Sequence, residues 1–302
     1  MSIDYQQIGS RLRAYRLARG LTAEQVAQQL GLSRAAVFRL EKGSIVKLET
    51  FERIAGLLGV SIESLLGVGV EYHASAISFF ERMRQLEEGA EQIMTHFEPV
   101  SYLLTSPDYG AHLRHMLAEA GNGACLEAAQ EAVLAILDER RRTWQRRRPA
   151  VASLVGSIEI ERFLRLGLIG TFDLPPEEAA RRRHLAALEI ETLCQVMEQE
   201  PVGIQIGLVE GAMPSLTFQI FRRPEGPVVA ISPFRLGELA NIDSGVAMIT
   251  STREAVELWT ATFEQLWSRA LKGAQAAAAL RSLLRRVREE EAAAGRAACP
   301  AS

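Results

Sequence analysis

The stretch LTAEQVAQQLGLSRAAVFRLEKG, Leu21 to Gly43, decides the fold of the N-terminal part of the chain. It holds two short apolar patterns of helical period on either side of Gly31, and each begins at a hydroxyl residue. Thr22 stands where a helix needs an N-cap, and Gln25 three residues later has the reach to close a capping box. Val26, Ala27 and Leu30 then share one face. Gly31 lacks the Cβ that penalises a left-handed backbone, so the chain can turn sharply there. Ser33 caps the next pattern, whose inward residues are Val37 and Leu40, and Gly43 ends it. Two helices therefore meet at a tight corner.

Working outward, Ile8, Leu12 and Tyr15 recur at helical spacing and predict a helix over Asp4 to Arg19, ended by Gly20. Thr50 to Leu58 and Ser61 to Leu66 predict two further short helices. Residues 1–67 thus read as an all-α head of five helices. The head carries nine Lys/Arg and six Asp/Glu, whereas the whole chain has a formal charge of −3, so the remainder is acidic. A basic head on an acidic body suits a specific anionic contact made by the head.

Ile8 to Leu66 resembles the Cro/repressor-type helix-turn-helix domain of the XRE family of transcription regulators, through IGSRLRAYRLARGLT, VAQQLGLSRAAVFRLEKG and FERIAGLLGVSIESLL. The resemblance implies that the third helix lies in the major groove of double-stranded DNA. By 3.6-residue spacing its outward residues are Ser33, Arg34, Ala35, Phe38 and Arg39, the implied base contacts. Arg34 suits a bidentate contact to guanine and Ala35 a thymine methyl. Phe38 has two readings, a contact to a thymine methyl or sugar, or a cover over the head's own core. Thr22, Lys42, Ser44 and Lys47 are the implied phosphate contacts, which fix register without reading sequence. Arg16 and Glu41 stand at positions that commonly form an ion pair holding the recognition helix. Ala23 departs from the family, which often places a DNA-contacting Gln directly after this cap. The same corner could instead serve protein–protein contact, but Arg34, Arg39, Lys42 and Lys47 on one side favour nucleic acid.

Beyond the head, residues 68–73 read as a Gly-containing hinge. A helical pattern runs from Ala74 to Phe97, with Ile77, Phe80, Met83, Leu86, Ala90 and Ile93 along one face. This face suits a dimer seam or rigid connector, or equally packing onto its own domain, and 74–150 reads as a helical connector and dimerisation region. Helices are also predicted from Ser106 to Ala120 and from Leu126 to Arg147. The latter ends in DERRRTWQRRRP, six arginines that either hold an anion or flanking DNA, or simply suit a helix C-terminus and a solvated face. From Pro201 the texture changes. GIQIGLV, LTFQIFRR, PVVAISP and GVAMITS are short runs between Gly, Pro and polar turns, and predict a small sheet flanked by helices at Pro176–Glu198 and Thr252–Leu271. Residues 151–273 therefore read as an α+β ligand-sensing domain. Residues 274–302 read as a C-terminal helix striped by Leu280, Leu283, Leu284 and Val287, which suits either a subunit contact or packing on its own domain, with a frayed AACPAS tail.

The strand ending MITS followed by FEQLWSRAL resembles the phospholipase-D-like effector domain of TrmB-type regulators, without the paired HxKxxxxD motifs of the active enzymes. That implies binding without hydrolysis. Arg235 follows an apolar strand and stands where a guanidinium can meet a ligand carboxylate or phosphate. Arg222, Ser232, Asn241 and Thr250 add polar groups, and Phe218 and Phe234 an apolar wall, as the candidate ligand pocket. Arg235 pairing with Glu238 or Asp243 is the plainer alternative.

No phosphate-binding, dinucleotide, zinc-protease or nucleophile-elbow motif is present, so no catalytic residue and no cofactor is expected. The five histidines, His112 and His115 included, and the scattered Cys125, Cys194 and Cys299 give no metal-ligand spacing. Cys194 reads as a core thiol. No apolar run reaches the ~20 residues of a membrane span, and no secretory signal is seen, so cytoplasmic residence is expected. The sequence thus predicts a homodimeric or higher regulator, a repressor, that binds a palindromic operator and senses a small anionic metabolite. The alternatives are an enzyme fused to an autoregulatory DNA-binding head and an antitoxin-like interaction protein.

Overall fold

The computed structural model describes residues 4–44, 47–120 and 124–298. The head contains α1 (Tyr5–Ala18), α2 (Ala23–Leu30), α3 (Arg34–Glu41), α4 (Leu48–Leu58) and α5 (Ile62–Leu66). Ile8, Leu12, Val26, Leu30, Val37, Phe51, Ile54 and Leu65 form its core. Asp4 caps α1 by accepting from the Gln6 and Gln7 amides. Glycine inside a helix costs about 1 kcal/mol relative to alanine, yet Gly9 sits within α1. A Cβ there would lie 2.5 Å from the Leu40 carbonyl oxygen and 2.6 Å from that of Glu41. Gly9 is the point where α1 crosses the last turn of α3 in backbone contact.

The body is α+β, as its texture predicts, but its sheet is not small. Among the described residues there are eight strands: β1 (Val70–His73), β2 (Gln92–His96), β3 (Ala150–Gly156), β4 (Ile204–Val209), β5 (Thr217–Arg222), β6 (Val228–Ser232), β7 (Ala247–Thr250) and β8 (Leu271–Lys272). They run in the order β1-β7-β6-β5-β2-β3-β4-β8. β2–β3 and β3–β4 are parallel, and every other pair is antiparallel. Helices α6 (Ala76–Glu88), α7 (Tyr109–Ala120), α8 (Ala124–Arg147), α9 (Ser157–Leu166), α10 (Pro176–Gln199) and α12 (Gly273–Ala298) share the larger core, whereas α11 (Arg253–Arg269) covers the other sheet face alone. Alternation along the strands divides the two cores: Ile93, Phe221 and Val228 serve the first, and Met94, Ile220 and Val229 the second.

Two expected boundaries are corrected. The hinge at 68–73 contains β1, whose Val70 to His73 pair with Thr250 to Ala247 of β7. The helix expected over 74–97 ends at Gly89, and Ile93, the last member of its apolar stripe, lies in β2 near the middle of the sheet. Residues 74–150 are therefore no separate connector. Their helices cover, and β2 joins, the same sheet as 204–250. Nor is α6 a free seam, because Phe79, Phe80 and Met83 are fully buried between α1, α8 and the sheet. The stripe of α12 is likewise spent, with Leu280, Leu284 and Val287 packed in the body's own core. Cys194 is a buried free thiol whose pKa burial pushes up to about 11. Cys299, the rest of the tail at 299–302 and the side chain of Cys125 lie outside the described residues. No helix among the described residues is long and apolar enough to cross a membrane.

Candidate nucleic-acid interface and the head–body seam

Local chemistry sets the corner. Thr22 Oγ1 accepts from the Gln25 amide at 3.1 Å, while Gln25 Oε1 accepts from the Thr22 amide at 2.7 Å, so both arms of the capping box are closed. Gly31 adopts φ 67° and ψ 33°, the left-handed cap that ends α2. Ser33 Oγ accepts from the Ala36 amide at 3.1 Å and starts α3. Arg16 fixes the far end of α3. Its Nε and Nη2 reach Glu41 Oε1 and Oε2 at 2.5 and 3.2 Å, and Nη1 donates to the Leu21 carbonyl at 2.8 Å. One guanidinium thus joins α1, the turn before α2 and the last turn of α3.

The other side of α3 faces solvent. Ser33, Arg34, Ala35, Phe38 and Arg39 are exposed, as are Thr22, Lys42, Ser44 and Lys47. Among the described residues Arg34, Arg39, Lys42 and Lys47 enter no salt bridge. Phe38 is 41% exposed, so it does not cover the head's core. Its ring lies 5.5 Å from Arg34 Cζ, a cation–π contact one helical turn apart on the exposed face.

The seven ligand candidates of the body do not converge. Phe218 packs against Trp259 in the core under α11, whereas Phe234 packs against Phe79 and Phe80 on the opposite face of the sheet. Ser232 Oγ accepts from the Phe234 amide. Arg235 and Asn241 exchange backbone hydrogen bonds at 3.0 Å, and the Asn241 side chain closes that loop onto Pro233 and Ser244. Thr250 Oγ1 donates to the Gly69 carbonyl at 2.6 Å, and Arg222 is exposed at the end of β5. The side chains of Ser232, Asn241 and Thr250 are thus spent on internal hydrogen bonds, as tight loops require, and Arg235 pairs with neither Glu238 nor Asp243 among the described residues.

The arginine run of α8 resolves the same way. Arg140 is buried and holds Glu87 through contacts of 2.6 and 3.0 Å, with Phe80 beneath its guanidinium. Arg141 donates to the carbonyls of Tyr102, Ser106 and Pro107 and to Thr105 Oγ1. Arg142 and Arg146 meet Glu139, and Arg147 donates to the Glu88 carbonyl. His112 and His115 remain on α7, and no group of three or more His, Cys, Asp or Glu suited to a metal ion occurs among the described residues.

Two polar assemblies carry no local sequence signature. The first joins head to body. Glu71 on β1 receives Arg11 of α1 at 2.5 Å and Arg82 of α6 at 2.9 and 3.1 Å. Burial alone would raise the Glu71 pKa, but Arg82 and Arg11 override it and hold the carboxyl well below its usual range. His73 is fully buried beside it, stacked on Tyr15 at 5.0 Å, and burial depresses its pKa. Gln85 donates to the Ser10 carbonyl, and Arg13 pairs with Glu81. The second lies past the ends of the parallel strands, where Arg162 of α9 bridges Glu98 at 3.0 Å and Glu238 at 2.6 Å. Thr95, Ser153 and Gln219 form a cross-strand row nearby, each with a buried polar side-chain atom that has no hydrogen-bond partner.

Against this geometry stand the comparisons with known proteins. The family model described as helix-turn-helix matches residues 12–65, which span α1 from Leu12 through α5. No curated protein matches the chain. The corner, the clamped third helix and its unpaired outward cations coincide with the matched segment. Residues 12–65 are accordingly a helix-turn-helix domain of the XRE type, and the chain that carries it is a DNA-binding transcriptional regulator.

Proposed function

We propose that α3 reads base edges of a palindromic operator through Ser33, Arg34, Ala35, Phe38 and Arg39, while Thr22, Lys42, Ser44 and Lys47 fix its register. The observation that carries this reading is that four exposed cations, none with a carboxylate partner among the described residues, surround a helix whose opposite face is clamped by the Arg16–Glu41 pair. The protein acts as a dimer in the cytoplasm, and repression by promoter occlusion needs no further partner. Half-sites lie about 10 base pairs apart or a multiple of that. With α6 and α12 spent internally, the dimer contact uses the sheet face bearing α11, where Tyr72, Val246 and Leu258 are exposed. The body senses a small anionic metabolite and passes about 1–3 kcal/mol of coupling to the head. Support comes from the buried polar seam through which α1 meets β1 and α6.

A second reading, an enzyme fused to an autoregulatory head, is favoured by one feature. Arg162, Glu98 and Glu238 meet beyond the C-terminal ends of β2 and β3, the place where open α/β sheets bind ligands. Incubating the purified protein with sheared genomic DNA of its host and sequencing what is retained tests the first reading. A recurrent palindrome, lost in Arg34→Ala/Arg39→Ala, supports it. Retention without a common sequence, or unchanged in that variant, refutes it.

A further inference from the structure

We infer that the seam between head and body holds an oxyanion site, built from Arg223, Arg11 and the start of α11, for a phosphate- or carboxylate-bearing metabolite. The inference deepens the sensor reading and rests on it for its regulatory meaning. The guanidinium of Arg223 follows the last residue of β5 and turns inward. Its side chain is only 9% exposed, and its Nε is buried without a hydrogen-bond partner. The nearest carboxylate, Glu225 at the rim, is 4.0 Å away and half exposed. Burial lowers the Arg223 pKa; Glu225 and Asp4 oppose that shift, and Arg82 and Arg11 add to it. A buried guanidinium whose carboxylate partner is a rim group at 4.0 Å is weakly compensated, so a counter-charge in the space it faces is physically favoured.

That space exists. Arg223 lines a cleft of about 460 Å³ between the head and the body, together with Arg11, Gly67, Gly69, Ser251 and Thr252. A recess of about 40 Å³ continues inward past Glu71 and Arg82. The volume suits a small metabolite. Three guanidiniums meet there, and the one buried carboxylate, Glu71, is already shared by Arg11 and Arg82. The other acid at the cleft besides Glu225 is Asp4, whose oxygen is engaged in capping α1. Gly67 admits the Arg11 guanidinium, which lies where a Cβ would be. Thr252 precedes α11 as an N-cap without a side-chain cap bond, so the first amides of a 17-residue helix open beside the cleft.

The elements that line the cleft belong to both parts of the molecule: Arg11 to the head, and Arg223, Ser251 and Thr252 to the body. An oxyanion bridging them favours one orientation of the head over others, which is what an effector of operator spacing must do.

The test is calorimetric titration of the full chain with inorganic pyrophosphate, at ionic strength held constant with potassium chloride. Wild type is compared with Arg223→Gln, Ser251→Asp and Arg34→Ala. Ser251 is exposed, so its replacement tests the cleft even if Arg223→Gln fails to fold. The expected result is one site per chain, weakened at least tenfold by Arg223→Gln and by Ser251→Asp and unchanged by Arg34→Ala. Absence of binding to wild type, or equal binding by the cleft variants, overturns the site. A parallel genomic-DNA retention assay separates the two claims. Pyrophosphate bound at Arg223 with retention unchanged upholds the site and removes the sensor reading. DNA retained without pyrophosphate binding removes the site and leaves the DNA-binding head intact.

Discussion

The outward face of α3 and the C-terminal end of α8 are both rich in basic residues, yet they do opposite things. On α3 and the turn after it, Arg34, Arg39, Lys42 and Lys47 reach into solvent without a carboxylate partner. On α8, Arg140, Arg141, Arg142, Arg146 and Arg147 are engaged by carboxylates, carbonyls or aromatic rings of the same chain. Density of positive charge is therefore a poor guide to nucleic-acid binding. The absence of an internal carboxylate partner on an exposed side chain is the better one, because a guanidinium buried against Glu87 is out of reach of a phosphate.

The comparison can be broken most forcefully at Arg140. Arg140→Ala strands Glu87 in the core, and a loss of about 3–5 kcal/mol is expected in denaturant unfolding. Arg142→Ala, at an exposed pair, should stay within about 0.5 kcal/mol of wild type. Equal effects would erase the distinction between structural and surface arginines. Next comes Gly9→Ala, which drives a methyl group into the Leu40 and Glu41 carbonyls. Overpacking of about 1–3 kcal/mol is expected in the head, with α3 amides exchanging faster and DNA affinity falling. Unchanged exchange in α3 would show that α1 does not seat it. Arg34→Ala should leave the melting temperature alone and remove about 1–3 kcal/mol of discrimination at one base position. Lys42→Ala should instead weaken all sequences alike and reduce the salt slope of binding by about 1.

The smallest effect is a pH dependence of the seam. His73 has a folded pKa depressed by burial, so below its ordinary value of 6.5 the unfolded chain binds more protons than the folded one. Stability is therefore expected to fall as pH drops below 6.5, until the depressed folded pKa is passed. His73→Phe should shallow that slope without abolishing it, since His96 is depressed by burial in the same way. Glu71, held below 4.5, adds its loss only at lower pH. An identical slope in His73→Phe would show that His73 does not titrate on unfolding.

The head was legible because its determinants are local. Thr22 with Gln25, Ser33 and Ser61 cap helices within a few residues, and Gly31, Gly59 and Gly67 end them in left-handed backbone. Strands β4 to β7 were legible from turns and short apolar runs. β2 was hidden because the apolar period of α6 happens to continue across Gly89 to Ile93. β3 is a run apolar on both faces except for Ser153, buried between two parallel neighbours, a pattern that periodicity cannot separate from a helix. β1 is four residues long and follows two glycines, so it looked like a hinge. The seam could not be read at all. Arg11, Glu71, Arg82 and Arg223 are distant in sequence and meet only because β1 and β5 belong to one sheet.

The most direct measurement is fluorescence anisotropy on the most strongly retained genomic fragment at fixed salt, with Arg34→Ala/Arg39→Ala beside Arg142→Ala/Arg146→Ala. The account predicts that the first pair abolishes specific binding while the second leaves it within about twofold, the size expected of exposed residues that touch no DNA. Specific binding that survives loss of Arg34 and Arg39 but fails without Arg142 and Arg146 would place the DNA on α8 and contradict it.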